Sequence, residues 1–238
     1  MTLIKRSLFA AALLAAVSAS AQSADDILQK HEKAIGGASA WDAIKTVKMV
    51  GAMSMQGMEI PVTQTMVLGK AMRTDITVMG MTGFTIVTNN QGWMYMPFQG
   101  SAGIDTMKPE MVQAAQRQLD LKSNQYLDYK TSGIKAEYVG KDTVNTTPCY
   151  KVKFTDKDGN ESTSSFDINT YYLLRTESRL KAEGDEMDVA VLYDKYQKTD
   201  EGVVMPMTIN AQGAEITFKT IEVNKPVDEK VFIPAIGK

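Results

Sequence analysis

From Val47 the chain begins to alternate. Val47, Met49, Gly51, Met53 and Met55 share one parity, and Lys48, Val50, Ala52, Ser54 and Gln56 the other, the period-two pattern of a strand with two unlike faces. Gly57 and Pro61 bracket an expected turn or bend, after which Val62, Met66 and Leu68 alternate with smaller, more polar positions. Further strands are expected over 72–79, 84–88 and 93–96, with Asn89-Asn90-Gln91-Gly92 as a hairpin turn. Upstream the period is helical. Ser23 and Asp26 have capping-box spacing, Ile27, Leu28, Ala34 and Ile35 form one stripe, and Gly36-Gly37 supplies the stop. A short second turn follows, with Ser39 as candidate cap and Trp41 and Ile44 facing inward. After the first set of strands, Pro109 opens another helix through Met111, Val112, Ala115 and Leu119. Strands then resume over 149–155, 162–168, 172–180, 187–197, 203–211 and 214–223, with Asp158-Gly159 as a hairpin turn. The expectation is a mainly β (α+β) chain of about eleven strands, one curved antiparallel sheet wrapped around helices.

The first residues stand outside this pattern. Lys5 and Arg6 precede an apolar run over 8–17 and then Ala19-Ser20-Ala21, which reads as a secretory signal over 1–21 cut after Ala21. The run is roughly half of the ~20 residues that a spanning helix needs. A single domain over 22–238 is therefore expected to be periplasmic: exported, soluble and, with no cysteine at the cleavage point, not lipid-anchored. Cys149 is the only cysteine, so no intramolecular disulfide forms and a core must supply stability. Removing Lys5 and Arg6 from 26 basic residues leaves 24 against 28 acidic, a net of −4. That balance, with no basic run, argues against nucleic acid as a partner, and a monomer is expected.

Ten methionines fall between Met49 and Met96, many two residues apart. An unbranched, polarisable side chain can reshape around a flexible ligand where Val or Ile would hold one form. Met49, Met53, Met55, Met66, Phe84, Ile86, Trp93 and Tyr95 are accordingly the candidate walls of an apolar cavity; the same residues would serve as ordinary core. Met53-Ser54-Met55, Met79-Gly80-Met81, Met94-Tyr95-Met96 and Met205-Pro206-Met207 admit a Cu(I) reading through thioethers. Strand alternation produces that spacing unaided, however, and only His31 and Cys149 could assist. No metal site is assigned. His31 lies on the first helix's stripe and Cys149 in a strand, and neither has a nucleophile or base beside it, so no catalytic residue and no cofactor is expected. Asp156 to Glu161 lacks the later acidic positions of an EF-hand loop and reads as a turn.

One ordered series carries a family resemblance: Gly140-Lys141-Asp142-Thr143-Val144, Pro148-Cys149-Tyr150-Lys151-Val152, Asp158-Gly159, Phe166-Asp167, Tyr172-Leu173-Leu174, Tyr193-Asp194-Lys195-Tyr196, Pro206, Val223-Asn224 and Phe232-Ile233-Pro234. With Ile35-Gly36-Gly37, Trp41 and Ile44-Lys45 through Gly51 at the start, it resembles the LolA/LolB-like outer-membrane lipoprotein-sorting superfamily, as a divergent member. The resemblance implies an incomplete β-barrel with helices over its concave face and a cavity for lipoprotein acyl chains or another lipid. It also implies an inner- or outer-membrane hand-off partner. No functional residue of that family maps onto Arg73, Pro61 or Pro97. The alternative is a non-catalytic cell-envelope interaction module with a filled core.

Overall fold

The computed structural model describes residues 23–55, 57–182 and 185–236; the expected export signal, 1–21, lies outside them. The chain opens with α1 (Ala24–Ala34), started by the capping box that the sequence predicts: Ser23 accepts from the Asp26 N–H at 3.0 Å and the Asp26 carboxylate reaches back to the Ser23 N–H. Gly36 and Gly37 end it with φ of +111° and +83°. A Cβ on Gly36 would stand 2.6 Å from the Gly202 carbonyl oxygen, so only glycine lets the helix end close on that turn. There the Val204 N–H donates to the Ile35 carbonyl. The short α2 (Ala38–Asp42) is started by Gly37, without a side-chain cap. Ser39 therefore lies inside its first turn and is not the expected cap, since a five-residue helix pressed against Gly36-Gly37 leaves no extended residue at that position.

The first meander is β1 (Thr46–Met55), β2 (Met58–Val67), β3 (Ala71–Val78), β4 (Met81–Thr88), β5 (Gly92–Tyr95) and the two-residue β6 (Asp105–Thr106). Helices α3 (Pro109–Gln116) and α4 (Leu121–Asn124), separated by a 3-10 turn, then cross to the second meander. That meander is β7 (Lys135–Val144), β8 (Thr147–Thr155), β9 (Glu161–Asp167), β10 (Leu173–Ala182), β11 (Asp185–Lys198), β12 (Val204–Ala211) and β13 (Ala214–Val223). All thirteen strands belong to one antiparallel sheet in the order β6-β5-β4-β3-β2-β1-β13-β12-β11-β10-β9-β8-β7. This is an incomplete β-barrel, with β6 and β7 as its edges.

The two strands beyond the expected eleven are these edges. β6 is too short to show a period, and β7 exposes Lys135, Glu137, Val139, Lys141 and Thr143, charged alternation that suits an unpaired edge but hides a strand. Pro61 also departs from expectation. It sits within β2 opposite Ala52, just beyond the β2–β3 ladder that begins at Val62, where its missing N–H deprives no partner.

Register separates the two sheet faces. Val87, Met72, Met66, Val47 and Val223 are successive cross-strand partners; the last four pack with Trp41, Ile44 and Leu119 from the helical side, and Val87 packs with Met107 and with Val112 of α3. On the other meander Ala24, Ile27 and Leu28 of α1 pack on Val152, Phe154, Phe166 and Leu173. Both helical layers thus cover one face, the concave one. The convex face differs between halves. Over β3–β5 it is closed by the C-terminal segment, whose Val227, Val231 and Phe232 pack on Ala71, Phe84 and Ile86. Over β7–β10 it carries a charge network in which Arg175 donates to Asp142 at 2.6 Å and Lys151 to Glu177 at 3.0 Å.

The meanders join where β1 pairs with β13, and the register shifts there between Val50 and Gly51. A Cβ on Gly51 would lie 2.2 Å from the Thr217 carbonyl oxygen and 2.7 Å from the Phe218 Cα, so this bulge bends the sheet only because residue 51 has no side chain. Gly51→Ala is expected to destabilise the protein by about 2–3 kcal/mol, seen as a lower urea midpoint at unchanged slope; an unshifted midpoint would show that the strands part without cost.

Candidate functional site

The concave face is built from both meanders. Following partners across the sheet, Ile60, Met53, Ile216, Ile209 and Tyr193 form one row. Ala214, Ala211, Val191, Thr176, Ser164, Val152 and Tyr138 form the next. Where the helices sit, Val47, Met66 and Met72 are almost sealed, at 4% exposure or less. Met49 and Tyr193 pack against the edges of the helix-covered clusters, and beyond them Met53, Val191, Ile209 and Ile216 remain only half-buried, although every one of them is carried on the inner face. An apolar floor therefore continues beyond the part that the helices fill.

Polar groups on this floor are few and mostly paired. Gln64 donates to the Met72 sulfur at 3.1 Å and to Thr74 at 3.4 Å. Across the second meander the Tyr126 hydroxyl, Ser164 and Thr176 form a chain at 2.7 and 3.2 Å, with the Tyr126 ring stacked on Phe154 at 3.8 Å. Burial pushes the Tyr193 phenol up to about 12, keeping it neutral. On the side of β4, a Cβ on Gly83 would meet the Phe98 ring at 2.8 Å and the Met96 sulfur at 3.1 Å. The glycine lets the 3-10 turn Pro97–Gln99 fold over the floor. A separate cleft of about 490 Å³ lies at the helical end, with Trp41, Ile44, Leu68, Leu119 and Leu121 below and Asp42, Asp120 and Lys122 at its rim.

The eight candidate wall residues do not share one surface. Met49, Met53, Met55 and Met66 are on the concave face. Phe84, Ile86, Trp93 and Tyr95 pair with one another and with Asp75 and Arg73 on the convex face, where the C-terminal segment covers them. Arg73 holds that cover down: it donates to the Val231 carbonyl at 2.9 Å, pairs with Asp75 at 2.7 Å and lies over the Phe84 ring at 4.5 Å. These aromatics form a second core, since their parity on β4 and β5 opposes that of Val87 and Met94. Floor residues outside the expected walls come from the other meander: Val191, Tyr193, Ile209, Ile216 and Phe218. Their signal is the same alternation, visible in Ile216 and Phe218 and in Val191 and Tyr193; the β1–β13 pairing that joins their strands to Met53 is not written in it.

His31, on the inward stripe of α1, is fully buried. Its Nδ1–H donates to the Tyr171 carbonyl at 2.8 Å, its ring meets Phe166 edge-on at 5.0 Å, and Nε2 has no hydrogen-bond partner among the described residues. Cys149 is fully buried as a small hydrophobe, and burial raises its thiol to about 11, far from a reactive thiolate. The Asp156 carboxylate accepts from the N–H groups of Asp158 and Asn160, so the acidic run closes a hairpin turn. Among the described residues no group of three or more His, Cys, Asp or Glu side chains is placed to hold a metal ion, and no helix is long and apolar enough to cross a membrane.

No protein-family model matches the chain, and no curated protein sequence matches it. Solved structures do. The chain is similar to a DUF1329-family protein of Desulfovibrio piger, with 13% identity, a TM-score of 0.54 and coverage of 88% of this chain and 96% of that one. It is similar to a LolA-superfamily protein of Nitrosomonas europaea at 11% identity and TM-score 0.52, covering 90% and 99%. A domain from Vibrio parahaemolyticus named for outer-membrane lipoprotein sorting follows at 10% and 0.51, covering 87% and 95%. At such identities the likeness is one of fold, and the fold is LolA-like in a divergent sequence.

Burial pushes the His31 imidazole down to about 4, against the pull of the Tyr171 and Gln125 carbonyls. The unfolded chain takes up a proton near the ordinary value of 6.5 while the folded one does not, so stability falls as pH drops from about 6.5 to about 4 and is level in this respect on either side. The loss is on the order of 3 kcal/mol. His31→Gln should flatten that part of the stability profile in urea titrations at successive pH; a variant with the parental slope would place the proton uptake elsewhere.

Proposed function

We propose that this protein is an exported carrier that shelters an acyl chain, of a lipoprotein or of another lipid, against the concave face without covalent chemistry. The observation that carries this reading is the half-buried apolar floor of Met53, Val191, Ile209 and Ile216, which continues past the helical cover. Apolar side chains on the inside of a curved sheet normally meet a packing layer. Here the layer stops while the floor goes on.

The floor's chemistry suits a reversible guest. Each sheltered methylene contributes about 0.8 kcal/mol before the costs of association, so a fully enclosed long chain would be held too tightly for transfer. An open half-barrel lowers that, and methionine adapts to chains of different shape. The LolA-like fold and the signal-like start agree with a soluble role between membranes, where a hand-off partner would take the cargo.

The rival reading is an envelope interaction module with a filled core. Its support is the tight packing of Ile60, Val62 and Phe218, each at 5–6% exposure, which leaves the floor's middle closed. Native mass spectrometry of the mature protein from its own periplasm, followed by organic extraction, separates the two. A stoichiometric lipid or acylated peptide is expected; ligand-free protein that also takes up no acyl probe would favour the module, and retained copper would favour the methionine pairs. Met53→Trp, which fills the floor, should reduce acyl-probe uptake about tenfold or more while the melting temperature stays within a few degrees. Full uptake by the folded variant would remove Met53 from the site.

A further inference from the structure

Among the described residues, five of the nine exposed large apolar side chains gather at one end of the sheet. Met79 is 87% exposed, Met187 52%, Met58 46%, Met81 42% and Met55 40%. Met55 and Met58 are partners flanking the β1–β2 hairpin tip, and Met79 is in the two-residue turn of the neighbouring β3–β4 hairpin, just before Met81. Ser54 pairs with Glu215, which brings the β12–β13 turn to this end, and Gln212 in that turn donates to the Met187 sulfur at 3.6 Å. The β1–β2, β3–β4 and β10–β11 hairpins thus present methionine, beside the β12–β13 turn, at the end opposite the helical core of Trp41, Ile44 and Val47, where the floor is open.

Local chemistry opposes one of these residues. Met79 and Gly80 have φ of +49° and +79°, the left-handed pair of a tight hairpin, in which Asn-Gly is preferred and an unbranched apolar side chain gains nothing locally. A large apolar group is held in solvent, on a strained backbone, at the tip of the barrel. Such a placement calls for an apolar surface to receive it.

Charge identifies that surface. Between Lys48 and Lys70 the one charged residue is Glu59, and between Asp75 and Asp105 there is none. The β1–β2 and β3–β4 tips thus carry no lysine or arginine to draw an anionic headgroup, and on the β10–β11 hairpin Arg179 and Lys181 lie opposite Asp188 and Glu186 in the ladder, so the charges there are matched; projecting, flexible thioethers fit a fluid layer better than a shaped protein pocket. We infer that the methionine tips form a rim that dips into the headgroup–acyl boundary of a zwitterionic phospholipid bilayer. The rim would bring the open floor to the membrane from which a lipid is taken or to which it is given. This purpose rests on the carrier reading, although the geometry does not.

Vesicle flotation tests it with the mature chain and phosphatidylcholine. The protein should float, with partitioning that changes less than about twofold between low and high salt and does not rise with added phosphatidylglycerol. Met79→Asn, which relieves the turn, should melt no lower than the parent yet partition about threefold less, and Met79→Asn with Met187→Gln about tenfold less. Met187→Gln alone serves should the turn variant misfold. A parent that stays unbound, variants that float equally, or flotation that needs anionic lipid or disappears with salt would overturn the rim. Uptake of a water-soluble short-chain acyl probe keeps the two readings apart. Variants that retain uptake but lose flotation support the rim, whereas a parent that floats but takes up no probe overturns the carrier alone.

Discussion

Everything on the concave face depends on the pairing of β1 with β13. These strands lie far apart in sequence, and their ladder from Val47–Val223 to Ser54–Glu215 is the seam between two meanders that are otherwise local. Each meander is a run of hairpins whose contacts form between near neighbours. The seam instead requires closure over most of the chain, the slow and entropically costly kind of contact. Several groups secure it at the helical end. Asn224 accepts from the Lys45 N–H at 2.7 Å and donates to the Ala43 carbonyl at 3.1 Å, and Thr46 donates to the Lys225 carbonyl. Gly51 then allows the crowded bend in its middle.

Once the seam is made, the two halves divide the work. The first supplies methionine to the floor, and the second supplies aromatic rings and hydroxyls. Covering helices close the end near Trp41 and leave the opposite end to hairpin tips. Strength and openness are interleaved on this face: Ile60, Val62 and Phe218 are sealed beside Met53 and Ile216, which stay half-buried and can meet a guest without a loss of core.

The convex face shows why parity matters to any functional assignment. Phe84, Ile86, Trp93 and Tyr95 have the size and polarity of a binding site, yet they are sealed beneath a C-terminal strap anchored by Arg73. A shift of one residue along β4 exchanges this second core for the floor. The same strap gives the charge-free stretch from Ile76 to Ile104 a structural reason on its outer face, leaving the hairpin tips as the part that packing does not account for.

By itself the sequence determined the elements and their local ends: the capping box at Ser23, the stop at Gly36-Gly37, the turn at Asp158-Gly159 and eleven of the strands. These follow from short-range forces, namely hydrogen bonding within a few residues, the backbone freedom of glycine and the alternation of side chains. It also supplied the methionine parity of β1 and the family likeness of the fold. Tertiary structure alone decided which parity faces inward, because that depends on what packs against each face, and the helices and the C-terminal segment come from distant parts of the chain. It likewise decided that Ile209, Ile216 and Tyr193 join Met53 on one floor, since cross-strand neighbours are set by register across the β1–β13 seam and not by any property of the residues themselves.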